Sequence, residues 1–519
     1  MNAFLPITLE ESRRRGWDEL DVVLVSGDAY VDHPSFGTAV IGRMLEAEGY
    51  RVAIIPQPNW RDDLRDFKKF GKPRLFFGVT SGVMDSMVNH YTAARRLRHD
   101  DAYTPGGMAG FRPDRAAYVY CRIIKNLYPE TPVVAGGIEA SMRRLSHYDY
   151  WDDKLFPSFL ADTPADLLSY GMGEKTIVKI ANMLASGERM EMLRELPQVA
   201  FMSDMMPGEK FGLGKARCLT PVIELHPFEE CEKSKRAEAE NFHIIERESN
   251  KMRSARLVQR HGERYVVVNP PELPFTQEEM DRTFDLPYLR LPHPKYKKRG
   301  AIPAYEMIKH SINTHRGCFG GCSFCTISAH QGKQIASRSE VSILKETQRV
   351  AQMEDFHGTI TDLGGPSANM YRMGGRDKTL CETCPRYSCI HPYICKNLDS
   401  DHERLLRLYR RVAQVPGIKH VFIGSGIRCD LFTKDNGGFD YFREVVMRHV
   451  SGRLKVAPEH TSVKVLGLMR KPSFDIFLRT KRDFDETCRK NGLRYQLIPY
   501  FISSHPGCTL QDMADLALE

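Results

Sequence analysis

The sequence is poor in long apolar stretches. No run among its 519 residues approaches the roughly 18 consecutive apolar positions that a membrane-spanning helix needs. A membrane partner is therefore not expected. The opening residues, MNAFLPITLEESRRRGWDEL, contain acidic groups and lack the apolar core of a secretory signal. Strong excess charge is missing too: +8 over the whole chain is mild. The basic runs at 13–15, 95–98 and 295–299 read as solvated faces. Charge leaves an RNA substrate open without arguing for one. An even, dispersed cysteine framework is also absent. The 13 cysteines are odd in number, and seven fall between residues 318 and 395. That distribution speaks against disulfides and for metal–thiolate chemistry in a reducing, cytoplasmic compartment.

What is present is an ordinary globular composition, 42% hydrophobic and 27% charged, at a length that suggests about three domains. The stretch around which the chain is organised is residues 313–325, NTHRGCFGGCSFC. Cys318, Cys322 and Cys325 are spaced by four and three, with Gly317, Gly320 and Gly321 among them. Glycine lets backbone approach backbone and adopt positive φ, so such a loop can wrap a bulky inorganic centre. Residues 309–314 read as a strand and 339–353 as a helix, with apolar Val341, Leu344, Val350 and Met353 at helical spacing. The cysteines thus occupy a strand-to-helix loop. A structural zinc ion takes four ligands, which His315 or His330 could complete. A [4Fe–4S] cluster held by three thiolates leaves one iron open for chemistry. The CxxxCxxC spacing, with Phe324 before the last cysteine, resembles radical S-adenosylmethionine (SAM) enzymes. That resemblance implies SAM chelated at the open iron, reductive cleavage to a 5′-deoxyadenosyl radical, and an electron donor such as flavodoxin or ferredoxin.

The N-terminal third alternates strands (21–26, 51–55, 75–79, 132–135) with helical spacing such as 37–48. This is the pattern of a doubly wound parallel α/β sheet. Ligands in such sheets sit at the carboxyl ends of strands, here 26–37, 80–85 and 136–141. The arrangement resembles the Rossmann-like, cobalamin-binding domain that precedes many radical SAM cores. The cobalt-ligating histidine of such domains lies in D-x-H-x-x-G. Asp32-His33-Pro34-Ser35-Phe36-Gly37 departs from that spacing, so cobalamin is not the expected cofactor. The segments VSGDAYVDHPSFG, QPNW, VAGGIEASMRRLSHYDYWDD and YGMGEKT resemble the YgiQ-type radical SAM proteins over nearly the whole chain. The run 147–153, HYDYWDD, suits either a polar ligand pocket or a wet interface.

Residues 207–300 read as a connector: a long charged helix over 228–253, a strand over 264–268, then a Pro-rich traverse. Cys218 and Cys231 have no CxxC partner. Beyond the cysteine loop, strands at 359–363, 419–423, 453–456 and 494–501 alternate with helices at 401–412, 440–449 and 474–490. Each strand ends in Gly, Pro or polar residues, where active sites collect on a parallel barrel. The expected fold is therefore α/β: a Rossmann-like domain (1–206), the connector (207–300), and a partial (β/α) barrel radical SAM core (301–519). Five barrel strands are visible where radical SAM cores usually have six, and the family generally continues further, so the chain reads as stopping short of a full barrel.

Within that core the resemblance implies a GGE-like SAM motif after the second strand. Gly364-Gly365-Pro366 stands in its place, with Pro for Glu. Arg428 and Glu459, from later strand ends, are candidates for the SAM carboxylate or ribose, and His460 points from the same region. An inserted loop, 376–398, carries Cys381, Cys384, Cys389 and Cys395 as C-x2-C-x4-C-x5-C. Four thiols in fifteen residues match a zinc site or a second iron–sulfur cluster, and spacing does not choose between them. Cys121, Cys429, Cys488 and Cys508 read as buried thiols. The reading is a radical SAM enzyme acting on an unknown substrate. The alternatives are a non-catalytic zinc or RNA-binding protein and a cobalamin-dependent methyltransferase.

Overall fold

The computed structural model describes residues 3–519 and resolves two compact units. The first comprises the chain up to Leu273 together with Leu286–Lys309; the second comprises Pro274–Asp285 and His310–Glu519.

The first unit is built on a nine-stranded sheet. Its strands are β1 (Val22–Ser26), β2 (Val52–Pro56), β3 (Phe76–Thr80), β4 (Val133–Ala135), β5 (Leu167–Ser169), β6 (Val199–Ser203), β7 (Val222–Leu225), β8 (Arg256–His261) and β9 (Arg264–Val268). Their order is β2-β1-β3-β4-β5-β6-β9-β8-β7. The first five are parallel, in the doubly wound 2-1-3-4-5 order. Alternation along β1 explains why both faces are covered. Val22 and Leu24 join one apolar cluster with helices Gly37–Ala47 and Glu174–Ala185. Val23 and Val25 join the other with helix Ala116–Leu127. A strand buried on both faces reads as a continuous apolar run, and β1 through β3 do so.

The sequence reading differs from this in two respects. β6, β9 and β8 continue the sheet antiparallel, and β7 closes it parallel to β8. Most of the span read as a connector is therefore sheet. The charged helix is also broken in two, Phe228–Cys231 and Lys235–Ser249, because the Ser234 hydroxyl caps the second piece by accepting from Ala237 N–H.

An ion cluster pins the rim of this sheet. Asp21 accepts from Arg51 Nη2 at 2.9 Å and Nε at 3.0 Å, and from Arg74 Nε at 2.7 Å. Burial raises its carboxyl, but the hydrogen bonds from Arg51 and Arg74 outweigh burial and bring it down to about 2. A carboxyl depressed on folding adds stability above its unfolded value, and that stability is lost as pH falls through the folded value. Asp21→Asn should therefore lower the urea midpoint at pH 6 and leave it close to wild type near pH 2.

The second unit carries short parallel strands in chain order: β10 (Ser311–Asn313), β11 (Thr359–Ile360), β12 (Asp362–Gly364), β13 (His420–Val421), β14 (Arg453–Glu459) and β15 (Gln496–Phe501). β10 pairs with β12, β11 with β13, and β14 with β15, all parallel. His449 bridges the third and fourth positions: its carbonyl accepts from Ile423 N–H, and its ring contacts the Val421 carbonyl at 2.7 Å. Counting the contiguous β11 and β12 as one, five strands line a partial barrel. Helices Glu340–Ala351, Glu403–Ala413 and Gly438–Arg448 pack around them through Ile343, Leu405, Tyr409 and Val445. Helix Gln277–Phe284, inside the expected Pro-rich traverse, also belongs to this unit. A capping box of Thr276 and Glu279 starts it.

Candidate active site at the cysteine loop

Antiparallel pairing of His315–Arg316 with Ala336–Ser337 closes the cysteine loop at its base. Two glycines then set its path. Gly317 has φ +88°, and a Cβ there would lie 2.1 Å from the Gln334 carbonyl oxygen. Gly321 has φ +61°, and a Cβ there would lie 2.1 Å from the Tyr387 oxygen. Only glycine fits both the conformation and the approach. Gly317→Ala should leave the far-ultraviolet circular dichroism unchanged yet cut the iron retained after reconstitution by at least about half, since a Cβ there forces the loop open. Iron analysis beside the spectrum checks this.

The three thiols are gathered together. Cys325 lies within electrostatic reach of both Cys318 and Cys322, and of Arg428. Burial pushes the Cys318 and Cys325 thiols up from their ordinary value. Arg428, 8% exposed, donates from Nη1 to Cys322 Sγ at 3.1 Å. Its Nε and Nη2 fork onto Asp430 at 2.9 and 2.6 Å. Asn369 fixes its backbone from both sides, Nδ2 donating to the Arg428 carbonyl and Oδ1 accepting its N–H. Gly320 completes the cradle: a Cβ there would sit 2.9 Å from Arg428 Nη1 and 3.3 Å from Cys318 Sγ. Three thiolates beside a fixed cation are the donor set a cluster with one open iron requires.

The other candidates separate. The Gly364 carbonyl is already taken by Thr314 N–H at 2.7 Å and by the Thr314 hydroxyl at 3.1 Å. Gly365 lies against the His315 ring, with a Cβ position 2.5 Å from it. Burial pushes the His315 imidazole down to about 4, so it is neutral at physiological pH. Glu459 ends β14 after an irregularity in the ladder, has φ +71°, and faces Lys471 Nζ at 3.5 Å. Burial raises its carboxyl against the pull of Lys471 and Arg428. Asp362, the first residue of β12, accepts from Gly424 and Ser425 N–H. Cys508 is half-buried, unlike the buried thiol expected from sequence, and its sulfur lies 3.5 Å from His460 Nε2. Cys429 is also half-buried, whereas Cys121 and Cys488 are buried. Among the described residues no three His, Cys, Asp or Glu side chains converge closely enough to hold a single metal ion.

The sequence reading missed Asp430 and Lys471. The Arg428-x-Asp430 spacing was visible, but only the fold turns both side chains inward beside the thiols.

A radical SAM N-terminal family description matches residues 4–311. The UPF0313 protein of Bacteroides thetaiotaomicron is 57% identical over 99% of this chain and 84% of its own length. That of Porphyromonas gingivalis is 56% identical over 99% and 81%. The chain belongs to the YgiQ-type radical SAM family. It is a radical SAM enzyme, and SAM is the co-substrate that its family implies. The radical SAM methyltransferase TsrM from Kitasatospora setae, solved with tryptophan substrate and a SAM analog bound, shares the fold with a TM-score of 0.50 at 15% identity, covering 96% of this chain and 70% of that one. In this YgiQ-type protein no helix among the described residues is long and apolar enough to cross a membrane.

At the carboxyl end of the first unit's sheet, the two candidate loops after β1 and β3 do meet, at the point where the strand order reverses. The Arg112 side chain fills that point. It donates from Nη2 to Asp28 at 2.8 Å, from Nε to Asp101 at 3.0 Å and from Nη1 to the Ser81 carbonyl at 3.0 Å. Glu139, from the third candidate loop, accepts from Ser86 and Ala117 N–H at 2.9 Å each. Asp32 pairs with Arg43, and buried His33 accepts from Ser35 N–H through Nδ1 at 3.1 Å. In the 147–153 run, Asp149 and Asp152 both accept from Arg115, while Tyr148 and Tyr150 are exposed.

Proposed function

We propose that Cys318, Cys322 and Cys325 ligate a [4Fe–4S] cluster whose fourth iron takes SAM, and that the protein cleaves SAM reductively to act on a substrate at the barrel mouth. The observation that carries this reading is the set of three gathered thiols with Arg428 donating to Cys322 Sγ. Bound there, cluster and SAM would supply one-electron cleavage of a sulfonium and hence a 5′-deoxyadenosyl radical. The residues do the rest. Arg428 offsets thiolate charge and, being engaged by Asp430 and Cys322, serves the cluster instead of SAM. Gly365 and Glu459 are the groups we assign to SAM, Gly365 through its backbone; Gly364 supports them by tying β12 to Thr314. Neutral His315 packs under Gly365 without adding charge. Anaerobically reconstituted protein given SAM and a strong reductant should form 5′-deoxyadenosine. Zinc in place of iron at this loop, with no cleavage, would defeat the proposal.

We also propose that the reaction proceeds without a corrinoid. Support comes from Arg112, which fills the crevice where a doubly wound sheet receives its ligand, and from Asp32, which is engaged by Arg43. Added hydroxocobalamin should leave the melting temperature unchanged, because only a ligand that binds the native state raises it.

A further inference from the structure

The inserted loop gathers its four thiols around a buried cation. Cys389 lies within electrostatic reach of Lys333 and of Cys395, Cys384 and Cys381; Cys381 is likewise within reach of Cys384, Lys333 and Cys395. Lys333 is 4% exposed. Its Nζ donates to the Arg386 carbonyl at 2.8 Å and the Cys384 carbonyl at 3.4 Å, and among the described residues it forms no ion pair. Lys333 thus stands where the negative charge of a thiolate-bound centre would lie. Two further details fit a bulky sulfur-rich centre. A Cβ on Gly375 would lie 2.4 Å from Cys381 Sγ, so only glycine clears it. Asn397 Nδ2 lies 3.5 Å from the same sulfur, and hydrogen bonds to sulfur tune iron–sulfur centres.

Four thiolates can hold either one zinc ion or a [4Fe–4S] cluster, and what favours the cluster is the loop's place beside the first cysteine site. The loop also has a direction. Leu380 and Tyr393 are exposed on it. On its inner side, Cys389 N–H donates to the Phe319 carbonyl at 3.0 Å, one residue from Cys318. Phe319 is 2% exposed, and Cys318, Cys389 and Cys395 pack in its apolar cluster.

We propose that Cys381, Cys384, Cys389 and Cys395 ligate a second [4Fe–4S] cluster that relays single electrons to the first. The relay rests on the function proposed above; the second cluster does not. A low-potential donor of the flavodoxin or ferredoxin class loses one electron. The second cluster goes from 2+ to 1+ and returns to 2+ as the first goes from 2+ to 1+. No proton moves and no bond breaks in the transfer.

The test is a count of iron, sulfide and zinc on the anaerobically reconstituted protein, with its electron paramagnetic resonance spectrum. Wild type should hold about eight irons and eight sulfides. The Cys381→Ala/Cys384→Ala/Cys389→Ala/Cys395→Ala variant should hold about four and keep the one reduced signal that changes on adding SAM. The Cys318→Ala/Cys322→Ala/Cys325→Ala variant should also hold about four but show no SAM response. If the first-site proposal alone fails, that triple variant still keeps its irons. About four irons plus one zinc in wild type would overturn the second cluster. Should the quadruple variant fail to fold, spin quantitation of reduced wild type decides instead: about two spins per chain are expected, and one overturns it. For the relay, the quadruple variant should cleave SAM normally with dithionite but at least about tenfold more slowly with reduced flavodoxin; equal slowing with both overturns the relay.

Discussion

Replacing Cys318, Cys322 and Cys325 by alanine will remove about four irons per chain and bring 5′-deoxyadenosine below detection, a loss of at least about a thousandfold against wild type. The size of the effect follows from the ligand count. The triple substitution removes every protein ligand assigned to the cluster. Cys322→Ala alone also removes the acceptor of Arg428 Nη1 and leaves part of the guanidinium without a partner. The measurement is chromatographic quantitation of 5′-deoxyadenosine beside metal analysis. Normal cleavage by the triple variant would place the cofactor elsewhere in the molecule.

Arg428→Met will lower the reduction potential of the loop's cluster and slow SAM cleavage by at least about a hundredfold. Two effects are combined here and can be separated. A cation beside a thiolate favours the more negative, reduced cluster; removing it makes reduction harder. Removing it also strands Asp430. Burial raises the Asp430 carboxyl, and Arg428, with smaller help from Lys471 and a backbone hydrogen bond, outweighs this and holds it below the usual range. Breaking one side of a buried pair costs about 3–5 kcal/mol, so the single variant should also lose stability. Arg428→Met/Asp430→Asn removes the stranded charge. The double variant should regain most of the stability, read from a urea transition, while its potential stays low in a redox titration. Recovery of the potential together with the stability would make Arg428 a structural residue only.

Much of this site was legible before folding, and the reason is local. The three cysteines and their glycines lie within one loop, and the flanking elements fell close to expectation: residues 309–314 became Ser311–Asn313 and 339–353 became Glu340–Ala351. Helix Phe474–Lys490 and strand Arg264–Val268 matched to the residue. What escaped depends on partners far apart in sequence. Arg112 meets Asp28 across 84 positions, and no pattern near either residue announces it. Lys333 reads as an ordinary surface lysine until the inserted loop folds over it. β6 and β8 were missed because their edge-to-edge pairing with β5 and β9 is set by the sheet, not by their own composition. The helix Gln277–Phe284 did carry a local signal, the Thr276–Glu279 capping box, which the surrounding prolines obscured.

The chain passes between its two compact units three times, at residues 273–274, 285–286 and 309–310. During synthesis, the helix Gln277–Phe284 leaves the ribosome before any other part of its own unit. Until the cysteine loop emerges, Phe284 lacks Arg316 and Arg338, whose guanidinium groups lie 5.1 and 4.5 Å from its ring centre in the finished protein. Residues 286–309 must meanwhile return to the unit already made. Vectorial folding, in which an N-terminal domain completes before the next begins, is thus interrupted. A nascent chain halted near residue 300 would leave Met280 and Phe284 of this helix uncovered for chaperones, and no single proteolytic cut would release either unit whole.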